Sequence, residues 1–414
     1  MGACDYLAAA ELTGRPALDR ALRPAWARVD LDALEANADL LARAVAPARW
    51  AAVVKADAYG HGAAAVGRAL AARGASLLAV ALVEEGAELR RAGIETPVLV
   101  LGTVEAAQLA EVRRYRLTPT LSTPEEIALW REATAGEAAP VAVHFQADTG
   151  MSRLGVPPEE VAEALAAVRA APGLELAGFM SHLGDAEDAE SPRNPEQERR
   201  FAALLELLTP EERGRVAVHL ANSAAGLHRP ADRRDLVRFG LALYGYDPAG
   251  RESGGALGLR PAMSVAARVA QVREVPAGRA AGYGSRWIAR RPSRLATVPV
   301  GYADGYPWRL TNRAEALAGG RRVPVAGAVS MDLTILDVTE LGAGEVRVGS
   351  EVALLGRQGG ESIDAWELAE KADTIPYEIL TVFGLRLPRV HLRGGQIESA
   401  ASRLLGGRVP EPGR

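Results

Sequence analysis

Eight short apolar runs, set along residues 50 to 245 with alanine-rich helical segments between them, constrain the fold more than any other feature of this chain. They are WAAVV (50–54), SLLAVAL (76–82), PVLVLG (97–102), LTPTLS (117–122), VAVHFQA (141–147), LELAGFMS (174–181), VAVHLAN (216–222) and LVRFGLALYG (236–245). Such alternation is what a parallel sheet wrapped in helices requires. Thr-Pro or Pro-Pro ahead of Glu-Glu marks the starts of the candidate helices TPEEIALWREA and PPEEVAEALAAVRAA. Eight strand–helix units in so short a span point to a (β/α)8 barrel. A doubly wound open sheet is the alternative, because periodicity cannot see closure. Neither GxGxxG nor GxxxxGK occurs, which weakens the cofactor readings that accompany an open sheet.

From about residue 255 the texture changes to alternating strands and turns, in MSVAARVAQVREV, RLATVPVGYADG, RRVPVAGAVSMDLTILDV and EVALLG. The chain therefore reads as an N-terminal extension (1–24), a barrel (25–256), a mostly-β C-terminal domain (257–395) and a tail (396–414), with GRESGGALG (250–258) as the expected hinge. At 414 residues two cores are expected. A net charge of −4 with interspersed arginines gives no footprint for nucleic acid, and Cys4 alone fits a reducing cytoplasm. The N-terminus does not look like a secretory signal, and no apolar stretch reaches the length of a membrane span.

Only two of the 48 basic residues are lysines, Lys55 and Lys371. Arginine replaces lysine wherever charge alone is wanted but cannot do amine chemistry, so a retained lysine is informative. Lys371, in DAWELAEKAD, reads as a solvated helix residue; Lys55 closes the first apolar run. In a barrel, active groups belong where strands run out at the C-terminal face, with phosphate after strands seven and eight. Lys55 ends the first run, Asp148 the fifth, His182 follows the sixth, Asn222 and Ser223 end the seventh, and Arg238 and Gly240 lie in the eighth. Alone, His182 reads as a packing histidine, Asn222-Ser223 as a helix N-cap and Arg238 as a surface cation. Their common register at one rim favours function. The six histidines lack metal-ligand spacing, and no GxSxG turn supports serine hydrolysis. An amine nucleophile beside a phosphate-binding rim points to a pyridoxal phosphate Schiff base.

At these residues the chain closely resembles the bacterial alanine racemases, from WARVDLDAL (residue 26) to LPRVHL (about 392). AVVKADAYGHG matches the cofactor-lysine signature, which implies Lys55 as the cofactor-bound lysine and Tyr59 near the cofactor phosphate. DTGMSRLG supplies Arg153, beside the cofactor's 3-hydroxyl and the substrate carboxylate. HLANSA and RFGLALYG supply Ser223 and Gly240 at the phosphate, with Asn222 adjoining, and Arg238 as partner of the pyridine nitrogen. A guanidinium only donates hydrogen bonds, so it favours an unprotonated ring nitrogen, a weaker electron sink and prompt reprotonation at Cα. Racemisation needs a base on each face. The resemblance implies Lys55 for one and Tyr283, in AGYGSRW of a partner subunit, for the other, with His182 linking Arg238 to that tyrosine. A site shared in this way implies a homodimer. Met331 and Asp332 of GAVSMDL correspond to the substrate-carboxylate position, and Tyr302 and Tyr377 to partner-side tyrosines that narrow the entrance and touch the phosphate.

The resemblance implies a cytoplasmic enzyme interconverting L- and D-alanine for peptidoglycan, with no metal. Competing expectations are a broader serine racemase, a barrel-type decarboxylase, which Arg238 opposes, and a single-barrel binding protein, which the second domain opposes. Gln146 stands where many members carry a carbamylated lysine. Its amide oxygen is expected to accept from Arg153, unless a bound anion does so, with no dependence on bicarbonate. Asp57 replaces a common asparagine, with no assigned effect.

Overall fold

The computed structural model describes residues 23–136, 139–402, 404 and 407–408; the expected extension therefore lies almost wholly outside the described residues. Two compact units emerge. One comprises the described residues of 35–58 and 63–260; the other comprises residues 23–34, Tyr59–Gly62 and the described residues from Pro261 onward.

The first unit is the expected barrel. After β1 (Ala25–Asp30), which belongs elsewhere, come β2 (Arg49–Val53), β3 (Leu77–Val80), β4 (Val98–Val100), β5 (Leu117–Leu121), β6 (Val141–Gln146), β7 (Leu174–Met180), β8 (Ala217–His219) and β9 (Leu236–Phe239). All pair in parallel in the order β8-β7-β6-β5-β4-β3-β2-β9. Two backbone bonds, Asp235 N–H to Val218 O and Arg238 N–H to Ala221 O, both 3.0 Å, join the outer strands and close the ring. The helices bury one stripe each: Val161–Arg169 turns Val161, Ala164, Leu165 and Val168 inward. Thr123 and Thr209 cap helices at Pro124 and Pro210, each with the Glu three residues on reaching back to the cap N–H. At the Pro-Pro-Glu-Glu start the helix begins only at Val161.

The second unit is mostly β, as expected. Its main sheet runs Arg321–Pro324, Glu315–Ala318, Glu351–Gln358, β10 (Met263–Arg268), β1, Arg389–Arg393, Gln396–Ser402 and Gly407–Arg408, with Glu361–Ile363 at one side. A three-stranded sheet joins Gln271–Val275, Ser293–Val298 and Thr334–Asp337.

Three features depart from the reading by sequence order. β1 pairs antiparallel with β10 and parallel with Arg389–Arg393, so residues 25–34 belong with the C-terminal unit although they precede the barrel. The expected hinge is a helix, Arg251–Leu257, ended by Gly258 in the left-handed region, where glycine carries no Cβ penalty. The expected tail begins with a strand, Gln396–Ser402, whose backbone pairs with Arg389–Arg393. Among the described residues no helix is long and apolar enough to cross a membrane.

Candidate active site

Lys55 follows β2 and opens a single turn, Lys55–Gly60, of left-handed sense: φ is +51° at Ala56, +56° at Asp57, +54° at Ala58, +52° at Tyr59 and +77° at Gly60. Each L-residue there costs roughly 1–2 kcal/mol, so neighbouring contacts must hold the turn. Within the barrel unit the Glu85 carboxylate accepts the Ala56 N–H at 2.6 Å, and Asp57 accepts the Ala63 N–H at 2.8 Å. Asp57 thus caps the start of the next helix, Ala63–Ala72. The Lys55 amine makes no hydrogen bond or ion pair among the described residues. Burial, and then the charge of Arg153, hold it below the ordinary lysine range, while Glu85 opposes both. More of the amine is therefore neutral at neutral pH than in a free lysine.

Arg238, on β9, is buried and tightly held. One terminal nitrogen donates to His219 Nδ1 at 2.8 Å and to His219 O at 3.3 Å. The other donates to Ser181 O at 2.9 Å, His182 Nδ1 at 2.9 Å and Leu220 O at 3.1 Å. Nε has no acceptor among the described residues. Burial, with Arg153 adding to it, lowers this guanidinium to about 10, so it stays protonated at neutral pH. A guanidinium cannot accept, and that fixes the neighbouring tautomers. His182 and His219 both accept at Nδ1, so each carries its proton on Nε2. His219 Nε2 then donates to His144 Nδ1, 2.8 Å away. Burial first and Arg238 second depress all three rings, His144 and His182 to about 3 and His219 well below its usual value, so all three are neutral.

His144 and His219 were read from the sequence only as scattered histidines. Their signal is the repeated tetrapeptide VAVH, at 141–144 and 216–219. The two strands flank β7, and side chains of alternate strands share a layer inside a barrel. Gly178 of β7 makes the room, since a Cβ there would lie 2.4 Å from His144 Nδ1.

Asp148 is structural: its carboxylate accepts the N–H groups of Gly150, Met151 and Ser152 at 2.8–3.2 Å and shapes the loop that presents Arg153. Arg153 is exposed and makes no hydrogen bond or ion pair among the described residues. The expected bond from Arg153 to Gln146 is absent; Gln146 instead turns its amide N–H to Leu154 O at 3.1 Å, a carbonyl within its own loop. Gln197, also unforeseen, donates to His182 O at 3.0 Å and Thr149 Oγ1 at 3.2 Å, tying the His182 and Arg153 loops together. Asn222 caps the helix Ser223–His228 through Ala225 N–H at 3.0 Å. Ser223 Oγ accepts the Gly240 N–H at 2.8 Å, which leaves its own hydroxyl proton to donate.

The remaining candidates lie in the β-rich unit. Tyr59 and Tyr377 face each other, ring centroids 6.1 Å apart, and burial pushes the Tyr59 phenol up, so it remains a donor. Buried Arg389 donates to Gly60 O at 2.8 Å and, after the helix bearing Tyr377, to Phe383 O, Gly384 O and Leu387 O. Tyr302 and Met331 are joined through backbone bonds, Tyr302 N–H to Ser330 O and Ala303 N–H to Met331 O, both 3.0 Å. Asp332 accepts from Arg386 at 2.7 Å. Tyr283 stands in a glycine turn, with Gly282 and Gly284 both at positive φ, and is 76% exposed. Lys371 is ion-paired with Glu367 (2.7 Å) and Glu315 (3.1 Å) rather than merely solvated.

Comparison with known proteins identifies the family. Residues 29–248 match the family model "Alanine racemase, N-terminal domain" and residues 262–391 match "Alanine racemase, C-terminal domain". An alanine racemase of Symbiobacterium thermophilum is 43% identical over 378 residues, 91% of this chain and 98% of that protein. The crystal structure of alanine racemase from Bacillus anthracis with bound L-Ala-P superposes with a TM-score of 0.86 at 34% identity, covering 93% of this chain and 99% of that one. That from Bartonella henselae, with covalently bound pyridoxal phosphate, gives a TM-score of 0.81 at 33% identity, covering 89% and 99%. The chain belongs to the alanine racemase family of pyridoxal phosphate-dependent isomerases.

Proposed function

We propose that this protein interconverts L- and D-alanine with two bases, Lys55 and the partner subunit's Tyr283, on opposite faces of the substrate Cα. The observation that carries the reading is Arg238: its terminal nitrogens are saturated by protein acceptors, and Nε alone has none among the described residues. An unfilled donor on a buried side chain fits a ring nitrogen that accepts and stays unprotonated. The unpaired Lys55 amine fits the cofactor's carbonyl carbon. Ser223, Gly240, Asn222, Tyr59 and Tyr377 would hold the phosphate. When bound, pyridoxal phosphate supplies the electron sink that acidifies Cα–H.

The chain's own groups do the rest. Arg153, with no protein partner among the described residues, meets the substrate carboxylate, joined by Met331 and Asp332. Neutral Lys55 Nζ takes the Cα proton on one face, and the Tyr283 phenol returns one on the other; the reverse reaction exchanges the two roles. His182 carries its proton on Nε2, the side turned from Arg238, and donates it to the Tyr283 oxygen, which stabilises the phenolate. Tyr302 narrows the entrance to suit a methyl side chain. Tyr283, Tyr302 and Met331 are all more than two-fifths exposed, which supports a homodimer in which each chain completes its partner's site. The D-alanine made would serve the bacterial cell wall.

The test is to follow the optical rotation of L-alanine with the cofactor-loaded protein, then reduce the protein with borohydride and map the label. Rotation should decay to zero with the label on Lys55. Release of carbon dioxide, persistence of rotation or a label on Lys371 would contradict the reading.

A further inference from the structure

We propose that Glu85 is a positioning residue for Lys55, joining the cap of its own helix to the left-handed turn on which the amine is mounted. The inference rests on Lys55 being the cofactor lysine. Glu85 is the third residue of the helix Val83–Arg91 and half-buried. One carboxylate oxygen does ordinary capping work, accepting Ala81 N–H at 2.8 Å and Leu82 N–H at 3.1 Å. A capping glutamate needs nothing further. The other oxygen instead crosses to the end of the neighbouring strand and accepts the N–H of Ala56 at 2.6 Å.

Ala56 is the residue after Lys55 and the first of the turn at positive φ. Its side chain is exposed, so packing does not select that conformation; an acceptor placed on its N–H does. Only an ionised carboxylate can serve both sides, because it offers acceptor sites on two oxygens and no donor that would repel an N–H. The charge matters as well. The groups that act on the Lys55 amine are Arg153 and Glu85, with neutral His182 close by, and Glu85 is the only one that favours the ammonium form. Glu85 thus sets both where the amine stands and how readily it gives up its proton, between the opposing demands of a nucleophile and a base.

The lysine-poor chain makes this measurable without turnover. The full chain, stripped of cofactor, is acylated with a trace reagent across a pH series, and Lys55 and Lys371 are quantified by mass spectrometry. Glu85→Gln keeps the size of the side chain and removes the charge and one acceptor. At neutral pH it should label Lys55 roughly threefold or more faster, its titration midpoint moving down, with Lys371 unchanged. A change shared by both lysines, or by neither, overturns the proposal. Should the variant not fold, hydrogen exchange of the wild-type peptide spanning residues 54–58 decides: the Ala56 amide is slow if Glu85 holds it, and exchange at the unprotected rate overturns the proposal. Borohydride labelling of the wild type is run alongside. Loss of that label indicts the cofactor assignment to Lys55, whereas a label on Lys55 with an unmoved Glu85→Gln midpoint indicts Glu85 alone.

Discussion

At the scale of single residues, a guanidinium organises the barrel rim. Arg238 is buried, yet its donors reach two histidine nitrogens and three backbone carbonyls, and burial first, with its charge second, keeps those histidines neutral. Breaking one arm leaves an unmatched buried donor, which costs far more than the bond contributes. His219→Leu removes the Nδ1 acceptor and the donor to His144 together. It should lower stability by about 2–4 kcal/mol in urea unfolding; a loss under about 1 kcal/mol would contradict this account of the network. Lys55 and Arg238 were legible in the sequence because a rare amine and a strand-borne arginine stand out against their runs. The acceptors at Ser181 and Leu220 were not, since a backbone carbonyl has no sequence signature. Gln146 shows the converse: the missing lysine was plain, but where its amide points depended on the carbonyl of Leu154, which only the folded loop supplies.

At the scale of elements, the least expected feature is the left-handed turn after β2. A right-handed helix loses about 1 kcal/mol when an exposed alanine becomes glycine, whereas a residue at φ near +51° is relieved by the same change. Ala56→Gly should therefore leave thermal stability unchanged or raise it. A fall in the melting temperature of several degrees would place Ala56 in an ordinary helical conformation. The signature AVVKADAYGHG gives little warning of this handedness, because of the five left-handed residues from Ala56 to Gly60 only Gly60 lacks a Cβ. All eight barrel strands coincide with runs read from the sequence, β2 alone starting one residue earlier at Arg49, because a strand buried on both faces has to be mostly apolar. β1 was missed for the opposite reason. AWARVD alternates and sits beside a helix, and nothing local says that its partners lie more than two hundred residues away.

At the scale of the whole molecule, three buried neutral histidines make a prediction about acid. Unfolded, each binds a proton near pH 6.5; folded, His144 and His182 do so only near 3 and His219 lower still. Between those limits the unfolded chain holds more protons, so stability falls as pH falls through 6.5 toward 3, by up to about 1.4 kcal/mol per pH unit for each ring. The urea midpoint should drop from pH 7 to pH 5, and a flat midpoint would show that the rings already carry charge in the fold.

The exposed Tyr283 bears on assembly: its phenol has no hydrogen-bond partner among its own chain's described residues, as the proposed shared site requires. On the proposed mechanism Lys55→Ala and Tyr283→Phe each remove one base, and each variant alone should be inactive. When the two variants are dissociated, mixed and reassembled, half of the dimers are hybrids in which one of the two sites has both bases. Racemisation should then return to about one quarter of the wild-type rate. A mixture that stays inactive, with hybrid dimers shown to be present, would contradict a site shared between two chains.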